Sequence, residues 1–320
     1  FPTFHAGLVR YSGINLVIAA IMPVCRNFPS REFGIVSRRF FVGKRSKRGS
    51  FVQIRYICRR IMTGMKIIVD RKYRSLESYV EQLPVTFNTG ELVYAARNVL
   101  RRFCWDGTIV VVKKYKIPIL LNRFVYGRFR KSKARRSFEY ARILNEKGFR
   151  TPQPVAYIEE RCCRLLSDSY LVTLNEDFPE MMRRFHTDES LTDEGKMILW
   201  AFAAYTRDLH EAGILHQDYS PGNIAFKVEN GRVEFSLFDI NRMHFGRISK
   251  KMCLRNFCRL TPSVAVLSYL VGEYARIRGW NVEESVCEAV SEQAKFFSRS
   301  ARRSSRKQSL RTIKSRFIGR

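Results

Sequence analysis

The sequence predicts an α+β protein with two lobes, the first rich in β-strands and the second mainly helical. In the first half, apolar runs flank the dipeptide Asp106-Gly107, which is typical of a type I′ hairpin turn. In the second half, apolar residues recur at steps of three and four, which indicates amphipathic helices. A chain of 320 residues is long enough for both lobes to bury a core.

The elements of the first lobe follow from apolar runs and chain-breaking residues. Residues 109–112 form a buried-strand run that ends in Lys113 and Lys114, and Gly148 ends the helix that follows. In chain order we expect a first strand beginning at Met65, hairpin strands at 94–104 and 108–115, a helix at 128–147, strands at 154–158 and 169–174, and a hinge near 175–178.

The second lobe combines helices with a second hairpin. Strand-like residues on both sides of Asn230-Gly231 predict a hairpin that ends at Asp239. Two later helices are expected to begin at Thr261-Pro262 and at Asn281, where capping residues precede apolar repeats. A helix before the hairpin, ended by Gly213, is predicted from the stripe Ile198, Phe202, Tyr205, Leu209 and Ala212.

The most informative motif lies between that helix and that hairpin. Residues 216–223 have the sequence H-Q-D-Y-S-P-G-N, and Asp239 follows sixteen residues after Asn223. Protein-kinase-like enzymes use a loop of the form H-x-D-x-x-x-x-N and a later Asp to hold a base and two metal ligands around ATP phosphates. The pattern makes Asp218 a candidate general base, and Asn223 and Asp239 candidate Mg²⁺ ligands. His216 is predicted to orient the loop.

The residue types suit phosphoryl transfer. Mg²⁺ prefers oxygen ligands, and Asn223 and Asp239 offer one neutral and one charged oxygen. The transition state is loose, so the protein mainly positions groups and neutralises charge. Asp218 has to lie within hydrogen-bonding distance of an acceptor hydroxyl to take its proton.

The strand that ends at the two lysines supplies a candidate phosphate ligand. In kinases a lysine on this strand binds the α- and β-phosphates; Lys113 is preferred here, and Lys114 is the alternative, because a shift of one residue exchanges the faces of a strand. Glu139 is the candidate ion-pair partner of this lysine, and a surface pair with Arg135 is the alternative. No G-x-G-x-x-G loop lies between residues 94 and 108, which argues against an ordinary protein kinase.

The formal net charge of +29 is concentrated at both ends of the chain. Residues 1–64 hold 12 Lys and Arg against one acid, and residues 296–320 hold 9 with no acid. We divide the chain into a basic extension at 1–64, non-native or disordered, a first lobe at 65–175, a second lobe at 176–295 and a basic tail at 296–320. Such ends favour an anionic partner, either a membrane surface or nucleic acid; solvated, partly disordered termini are the alternative.

The composition also restricts the compartment. The eight cysteines form no C-x-x-C pair, and no His is placed to complete a zinc site, so we expect a reduced, cytoplasmic setting. The longest apolar run, residues 14–24, is about half the length that a membrane-spanning helix needs.

Four segments carry a family resemblance. They are V-V-V-K-K-Y-K at 110–116, R-K-S-K-A-R-R-S-F-E-Y-A at 130–141, L-H-E-A-G-I-L-H-Q-D-Y-S-P-G-N-I at 209–224 and F-D-I-N-R at 238–242. With them, residues 65–295 resemble the lipopolysaccharide kinase family, the Kdo/heptose kinases of Gram-negative bacteria. The second and fourth segments are similar to the form found in Bacteroides-type bacteria. The resemblance implies a two-lobed protein-kinase-like fold without a standard Gly-rich loop.

The resemblance implies transfer of the ATP γ-phosphoryl group to a hydroxyl of Kdo or heptose in the lipopolysaccharide core. It implies ATP and Mg²⁺ as cofactors, Asp218 as base, Asn223 and Asp239 as Mg²⁺ ligands, and Lys113 with Glu139 as the ATP-positioning pair. The acceptor is then the lipid A–core glycolipid, and the enzyme binds peripherally to the anionic inner face of the inner membrane, with no specific nucleic acid partner. The tail at 296–320 lies after every candidate residue, so turnover of a soluble sugar fragment is expected not to need it.

Two other functions stay open on the sequence. One is a kinase that acts on another small molecule or on a protein, because the loop motif is shared by many kinase-like families. The other is a catalytically inactive kinase fold that binds nucleic acid, which the basic ends favour and the intact Asp218, Asn223 and Asp239 disfavour.

Overall fold

The structure, a computed structural model, describes residues 64–116, 130–162 and 165–318. The expected extension at 1–64 lies outside the described residues except for Gly64. The strands are β1 (Gly64–Val69), β2 (Glu91–Ala95), β3 (Val99–Trp105), β4 (Thr108–Lys114), β5 (Pro154–Cys162), β6 (Leu165–Leu174), β7 (Glu180–Met181), β8 (Ile214–His216), β9 (Ile224–Glu229), β10 (Arg232–Leu237) and β11 (Met243–Phe245). The helices are α1 (Glu77–Thr86), α2 (Lys133–Glu146), α3 (Asp193–Glu211), α4 (Lys250–Asn256), α5 (Val264–Ile277) and α6 (Val282–Ile318).

The first lobe is a six-stranded antiparallel sheet in the order β1-β5-β6-β4-β3-β2. The turn between β3 and β4 has φ values of 46° at Asp106 and 75° at Gly107, so the predicted type I′ hairpin is confirmed. One face of the sheet packs on α1, where Val80 joins Val110 in a buried cluster. The other face packs on α2, where Phe138 joins Tyr115. The sheet is therefore covered by a helix on each side.

The second lobe has one large core shared by its helices and its hairpin. Phe202 and Leu209 of the predicted α3 stripe are buried together with Phe235 of the hairpin and Tyr274 of α5. The β9–β10 turn has φ values of 51° and 72° at Asn230-Gly231, as a type I′ turn requires. The predicted fold class, α+β with a β-rich first lobe and a mainly helical second lobe, is confirmed.

The start of α5 differs from the prediction. Ser263, not Thr261, is the N-cap, because its Oγ accepts a hydrogen bond of 2.9 Å from the Val266 N–H. Thr261 Oγ1 instead accepts from the Ser263 N–H at 3.1 Å, so it shapes the turn before the cap. At the next helix Asn281 caps as predicted, with Oδ1 accepting from the Glu284 N–H at 2.9 Å.

The last helix crosses the predicted border between the second lobe and the basic tail. α6 runs for 37 residues, a length of about 55 Å, without interruption at residues 295 and 296. Its first half belongs to the second lobe: Ala289 is buried in the core, and Gln293 Nε2 donates to the Thr261 carbonyl at 2.8 Å. The basic tail is therefore a continuation of a core helix. Nowhere in the described ranges does a helix combine the length and apolarity that a bilayer span requires.

Candidate active site

The loop after β8 is held by His216, whose side chain is buried. Its Nδ1 accepts from the Asp218 N–H at 3.0 Å, and its Nε2 lies 3.0 Å from the Phe238 carbonyl. Because a backbone N–H only donates and a carbonyl only accepts, this arrangement requires a neutral ring with its proton on Nε2. Burial lowers the pKa of His216, which favours that neutral form. The ring thereby ties the loop to the end of the β9–β10 hairpin.

The hairpin places Asn223 next to Asp239, as the sequence pattern requires. Ile224 pairs with Leu237, and the Phe238 N–H extends the ladder by donating to the Asn223 carbonyl at 2.8 Å. Asn223 Nδ2 donates to the Asp218 carbonyl at 2.9 Å, which fixes the amide plane and turns Oδ1 away from the loop backbone. Asp239 follows immediately after this pair.

Asp239 has an unusual backbone conformation. Its φ is 50°, in the left-handed region that non-glycine residues rarely adopt. Its Oδ1 accepts from Asn241 Nδ2 at 2.8 Å and from Lys113 Nζ at 2.7 Å. Burial raises the pKa of this carboxyl, but the charge and hydrogen bond of Lys113 and the hydrogen bond of Asn241 outweigh burial and lower it. Asp239 is therefore ionised at neutral pH.

The two lysines at the end of β4 point to opposite faces of the sheet. Lys113 reaches Asp239 across the cleft between the two lobes, and its Nζ lies 5.3 Å from the centre of the Tyr115 ring. Lys114 forms an ion pair of 3.0 Å with Asp168 and lies 5.2 Å from the centre of the Tyr170 ring, on the α1 side. Side chains alternate along a strand, so only one of the two can face the cleft.

The structure does not bring Glu139 to Lys113. Glu139 Oε1 lies 2.8 Å from Arg135 Nε and Oε2 lies 2.7 Å from Lys131 Nζ. The cause is the phase of α2: Ser137, two residues earlier, faces the sheet and bonds the Tyr115 hydroxyl at 2.9 Å. Two residues correspond to a rotation of about 200° around a helix, which turns Glu139 away from the cleft. The observed contacts are those of the alternative surface pair.

Two arginines that the site prediction did not include hold Asp218. Arg259 Nη1 lies 2.6 Å from Asp218 Oδ1, and Arg242 Nη1 lies 3.8 Å from Oδ2. Arg242 is the last residue of the F-D-I-N-R segment, so its place beside the loop had a sequence signal. Arg259 belongs to a single 3-10 turn after α4, and no motif marks it.

A short loop between β2 and β3, residues 96–98, precedes the lysine strand where kinases carry a Gly-rich loop. Its Asn98 Oδ1 accepts from the Lys116 N–H at 3.2 Å, so the loop is tied to the end of β4. Lys133, at the start of α2, lies near this loop. Burial lowers the pKa of Lys133, and the positive charges of Arg97 and Arg242 lower it further. Basic groups from three elements therefore surround the cleft.

The oxygen atoms of Asn223 and Asp239 fit a Mg²⁺ ion that takes its other ligands from water and phosphate. The amide oxygen of Asn223 is directed by the Nδ2 hydrogen bond, and Asp239 is an ionised carboxylate beside it. Among the described residues no group of three His, Cys, Asp or Glu side chains is arranged to hold a metal by itself.

Known proteins resemble this chain in the region that holds the candidate site. A family model described as "Lipopolysaccharide kinase (Kdo/WaaP) family" matches residues 105–277, a stretch that contains all five candidate residues. No curated protein matches the chain. A solved structure titled "WaaP in complex with acyl carrier protein" is similar at 17% identity and a TM-score of 0.48, over 74% of this chain and 98% of that one.

Proposed function

Because the chain belongs to the lipopolysaccharide kinase (Kdo/WaaP) family, whose model matches more than half of its length, we propose that the cleft around Asp218 and Asp239 transfers the γ-phosphoryl group of ATP to a sugar hydroxyl. Membership in this family makes the protein a phosphotransferase that acts on a sugar of the lipopolysaccharide core. The nucleotide, the metal and the role of each residue are the parts that we propose.

Asp218 is the general base in this proposal. Its carboxylate is held by Arg259 and Arg242 at the edge of the cleft, and it accepts the proton of the acceptor hydroxyl as the oxygen attacks phosphorus. The buried, neutral His216 fixes the backbone of Asp218 and so keeps the carboxylate in one orientation. The two arginines neutralise its charge before the acceptor arrives.

Asn223 and Asp239 are the proposed ligands of Mg²⁺, and Lys113 is the proposed ligand of the ATP phosphates. When bound, Mg²⁺ supplies neutralisation of the negative charge on the β- and γ-phosphates. Lys113 pairs with Asp239 at 2.7 Å in this structure. Nucleotide binding therefore has to separate the two side chains, so that Lys113 contacts phosphate and Asp239 contacts the metal. Lys133 and Arg97 add positive charge where the phosphates would enter.

The observation that carries the proposal is the joining of three distant segments in one cleft. Lys113 of the first lobe contacts Asp239 of the second, and the Phe238–Asn223 hydrogen bond connects Asp239 to the loop of Asp218. Phosphoryl transfer needs these groups held together more than it needs covalent chemistry from the protein.

The proposed acceptor is Kdo or heptose of the lipid A–core, which the enzyme reaches at the inner face of the inner membrane. We propose peripheral binding to this anionic surface through the basic end of α6, supported by the nine Lys and Arg among residues 296–320.

Every candidate residue lies between 65 and 295, so a chain that begins at Met65 should fold and keep its turnover. Inactive protein from that start would contradict the division of domains.

Asp218→Asn is the test of the function, since it keeps the shape of the side chain and removes the proton acceptor. The assay follows radiolabelled phosphate from ATP to purified lipopolysaccharide core, with and without a chelator of Mg²⁺. We expect turnover to fall by about 10²–10⁴ while the thermal unfolding midpoint stays close to that of the wild type. Asp208→Asn, which removes an exposed carboxylate paired with Arg207, is the matched control and should not change turnover. Normal turnover in Asp218→Asn would refute the assignment of the base.

A further inference from the structure

A cavity of about 770 Å³ opens in the second lobe beside Asp218. Its walls come from the loop after β8, from α4 with the 3-10 turn behind it, and from the middle of α6. The volume lies within the range of small-molecule binding sites. Lys113 and Asp239, the groups proposed for phosphate and metal, are not among its lining residues. The cavity is therefore separate from the nucleotide side of the cleft.

The cavity is joined to the candidate base by one arginine. Arg259 lines the cavity, forms an ion pair of 2.6 Å with Asp218, and lies with its guanidinium carbon 5.3 Å from the centre of the Phe296 ring. A guanidinium stacked on an aromatic face is fixed in orientation. A residue of the supposed tail thus positions the side chain that holds the base.

The charge of the cavity is strongly positive. It is lined by five arginines, Arg242, Arg255, Arg259, Arg299 and Arg303, and by one acid, Glu292. Glu292 is already engaged, at 2.9 Å by Lys295 and at 3.7 Å by Arg255.

Two of these arginines have no counter-ion in the described part of the chain. Arg299 and Arg303 stand four residues apart on one face of α6, and neither forms an ion pair among the described residues. Like charges at this spacing destabilise a helix. An anionic ligand in the cavity would relieve this repulsion.

We propose that this cavity binds the acceptor through an anionic group, a carboxylate or a phosphate carried by the core oligosaccharide. Guanidinium groups bind both oxyanions through paired hydrogen bonds. Arg299 and Arg303 hold the anion, and Arg259 and Arg242 lie between this anion and Asp218, where the acceptor hydroxyl has to come. The inference rests on the proposed function, since it names the substrate chemistry of the same site.

The kinetic test uses the full chain and a delipidated core oligosaccharide in three forms: native, with its carboxylates reduced to alcohols, and dephosphorylated. We expect Arg299→Gln and Arg303→Gln each to raise the KM for the native acceptor by about 10-fold or more, with kcat and the KM for ATP unchanged. Arg302→Gln removes a charge from the same helix outside the cavity and should change neither KM. The treatment that raises the KM above that of the native acceptor identifies the anion: reduction of the carboxylates if a carboxylate binds, and dephosphorylation if a phosphate binds. Equal KM values for all three forms, or equal effects of Arg302→Gln and Arg299→Gln, would overturn the inference.

A binding measurement separates this inference from the proposed function. Calorimetric titration of the native oligosaccharide into the wild-type chain and the Arg299→Gln, Arg303→Gln double variant needs no turnover. If the wild-type chain binds the oligosaccharide, the double variant does not, and neither protein transfers phosphate from ATP, the cavity is supported and the kinase assignment is refuted. If both proteins transfer phosphate from ATP and bind the acceptor with equal affinity, the kinase assignment stands and the cavity is refuted. No binding by the wild-type chain refutes the cavity as well.

Discussion

The Nζ atom of Lys113 lies 2.7 Å from Oδ1 of Asp239, although 126 residues separate them in the chain. The pair joins the two lobes across the cleft, and Lys114 is turned toward Asp168 on the opposite face of the sheet. Burial lowers the pKa of the Lys113 ammonium, but the neighbouring Tyr115 and Asp239 more than compensate and raise it. Lys113 is therefore charged in the cleft, as a phosphate ligand must be.

Lys113→Met should impair the use of ATP far more than Lys114→Met. Removing one preorganised donor to transferring phosphates reduces turnover by about 10²–10³, and Lys113 is the lysine that faces the cleft. Lys114→Met is the matched control, since it removes the same charge one residue away and leaves the cleft intact. Steady-state kinetics with varied ATP checks this. The reverse order of effects would mean that the phosphates bind on the α1 side of the sheet.

Glu139→Gln should leave the kinetics for ATP nearly unchanged, because Glu139 contacts Arg135 and Lys131 and not Lys113. Partly exposed ion pairs of this kind contribute about 0–1 kcal/mol, so the free energy of unfolding should fall by no more than that. The same ATP titration and a urea unfolding curve measure both effects. A loss of activity as large as that of Lys113→Met would show that α2 turns when nucleotide binds and brings Glu139 to the lysine.

The stability of the second lobe should depend on pH through His210. Burial lowers the pKa of His210 to about 4, and the ring is held between the Tyr274 hydroxyl at 2.9 Å and Asn256 Oδ1 at 3.2 Å. In the unfolded chain a histidine has a pKa of about 6.5. Between these values the unfolded state binds a proton that the folded state does not, so stability is full above about pH 6.5 and falls as the pH drops toward 4.

Urea unfolding at several pH values between about 7 and 5 measures this effect. The loss attributable to His210 approaches about 1.4 kcal/mol per pH unit within that window, and His210→Gln should remove this share of the slope. His186→Gln, at an exposed position, is the control and should keep the wild-type slope. His216, which is also buried with a lowered pKa, contributes to the slope that remains. An unchanged slope in His210→Gln would contradict the assignment.

Two truncations of α6 should separate membrane binding from acceptor binding. Removal of residues 304–320 deletes six Lys and Arg but keeps Phe296, Arg299 and Arg303, whereas removal of 296–320 deletes them all. Each basic residue near an anionic surface contributes on the order of 1 kcal/mol, screened within about 8 Å at physiological salt. The shorter truncation should weaken salt-reversible co-sedimentation with anionic liposomes and spare turnover of a soluble oligosaccharide.

The longer truncation should also impair turnover of the soluble acceptor, because it removes the ring under Arg259 and two arginines of the cavity. This outcome differs from the expectation that the whole tail is dispensable for turnover. Equal turnover by both truncated proteins would show that α6 takes no part in the acceptor site. If added salt does not weaken liposome binding by the full chain or by either truncated chain, an electrostatic role for the tail is ruled out.

The arrangement of the candidate catalytic loop was predictable because local chemistry determines it. The H-x-D-x-x-x-x-N spacing, the Asn230-Gly231 turn and the Asp at the strand end are all readable within 24 residues, and the structure joins them by backbone hydrogen bonds of the hairpin. The type I′ turns needed only a residue pair that tolerates positive φ. The sequence could not show which lysine faces the cleft. Alternation along the strand puts Lys113 and Lys114 on opposite faces, but only pairing with the neighbouring strands shows which face that is.

The sequence by itself determined the fold class, the motif residues and the basic ends of the chain. Only the tertiary structure decided which helix face meets the cleft, which turned Glu139 toward Arg135 and left Asp239 as the partner of Lys113. It alone brought Arg259 of a short turn and Phe296 of the last helix to Asp218. The physical reason is that motifs record contacts between near neighbours in the chain, whereas the packing of helices over long separations depends on the whole core.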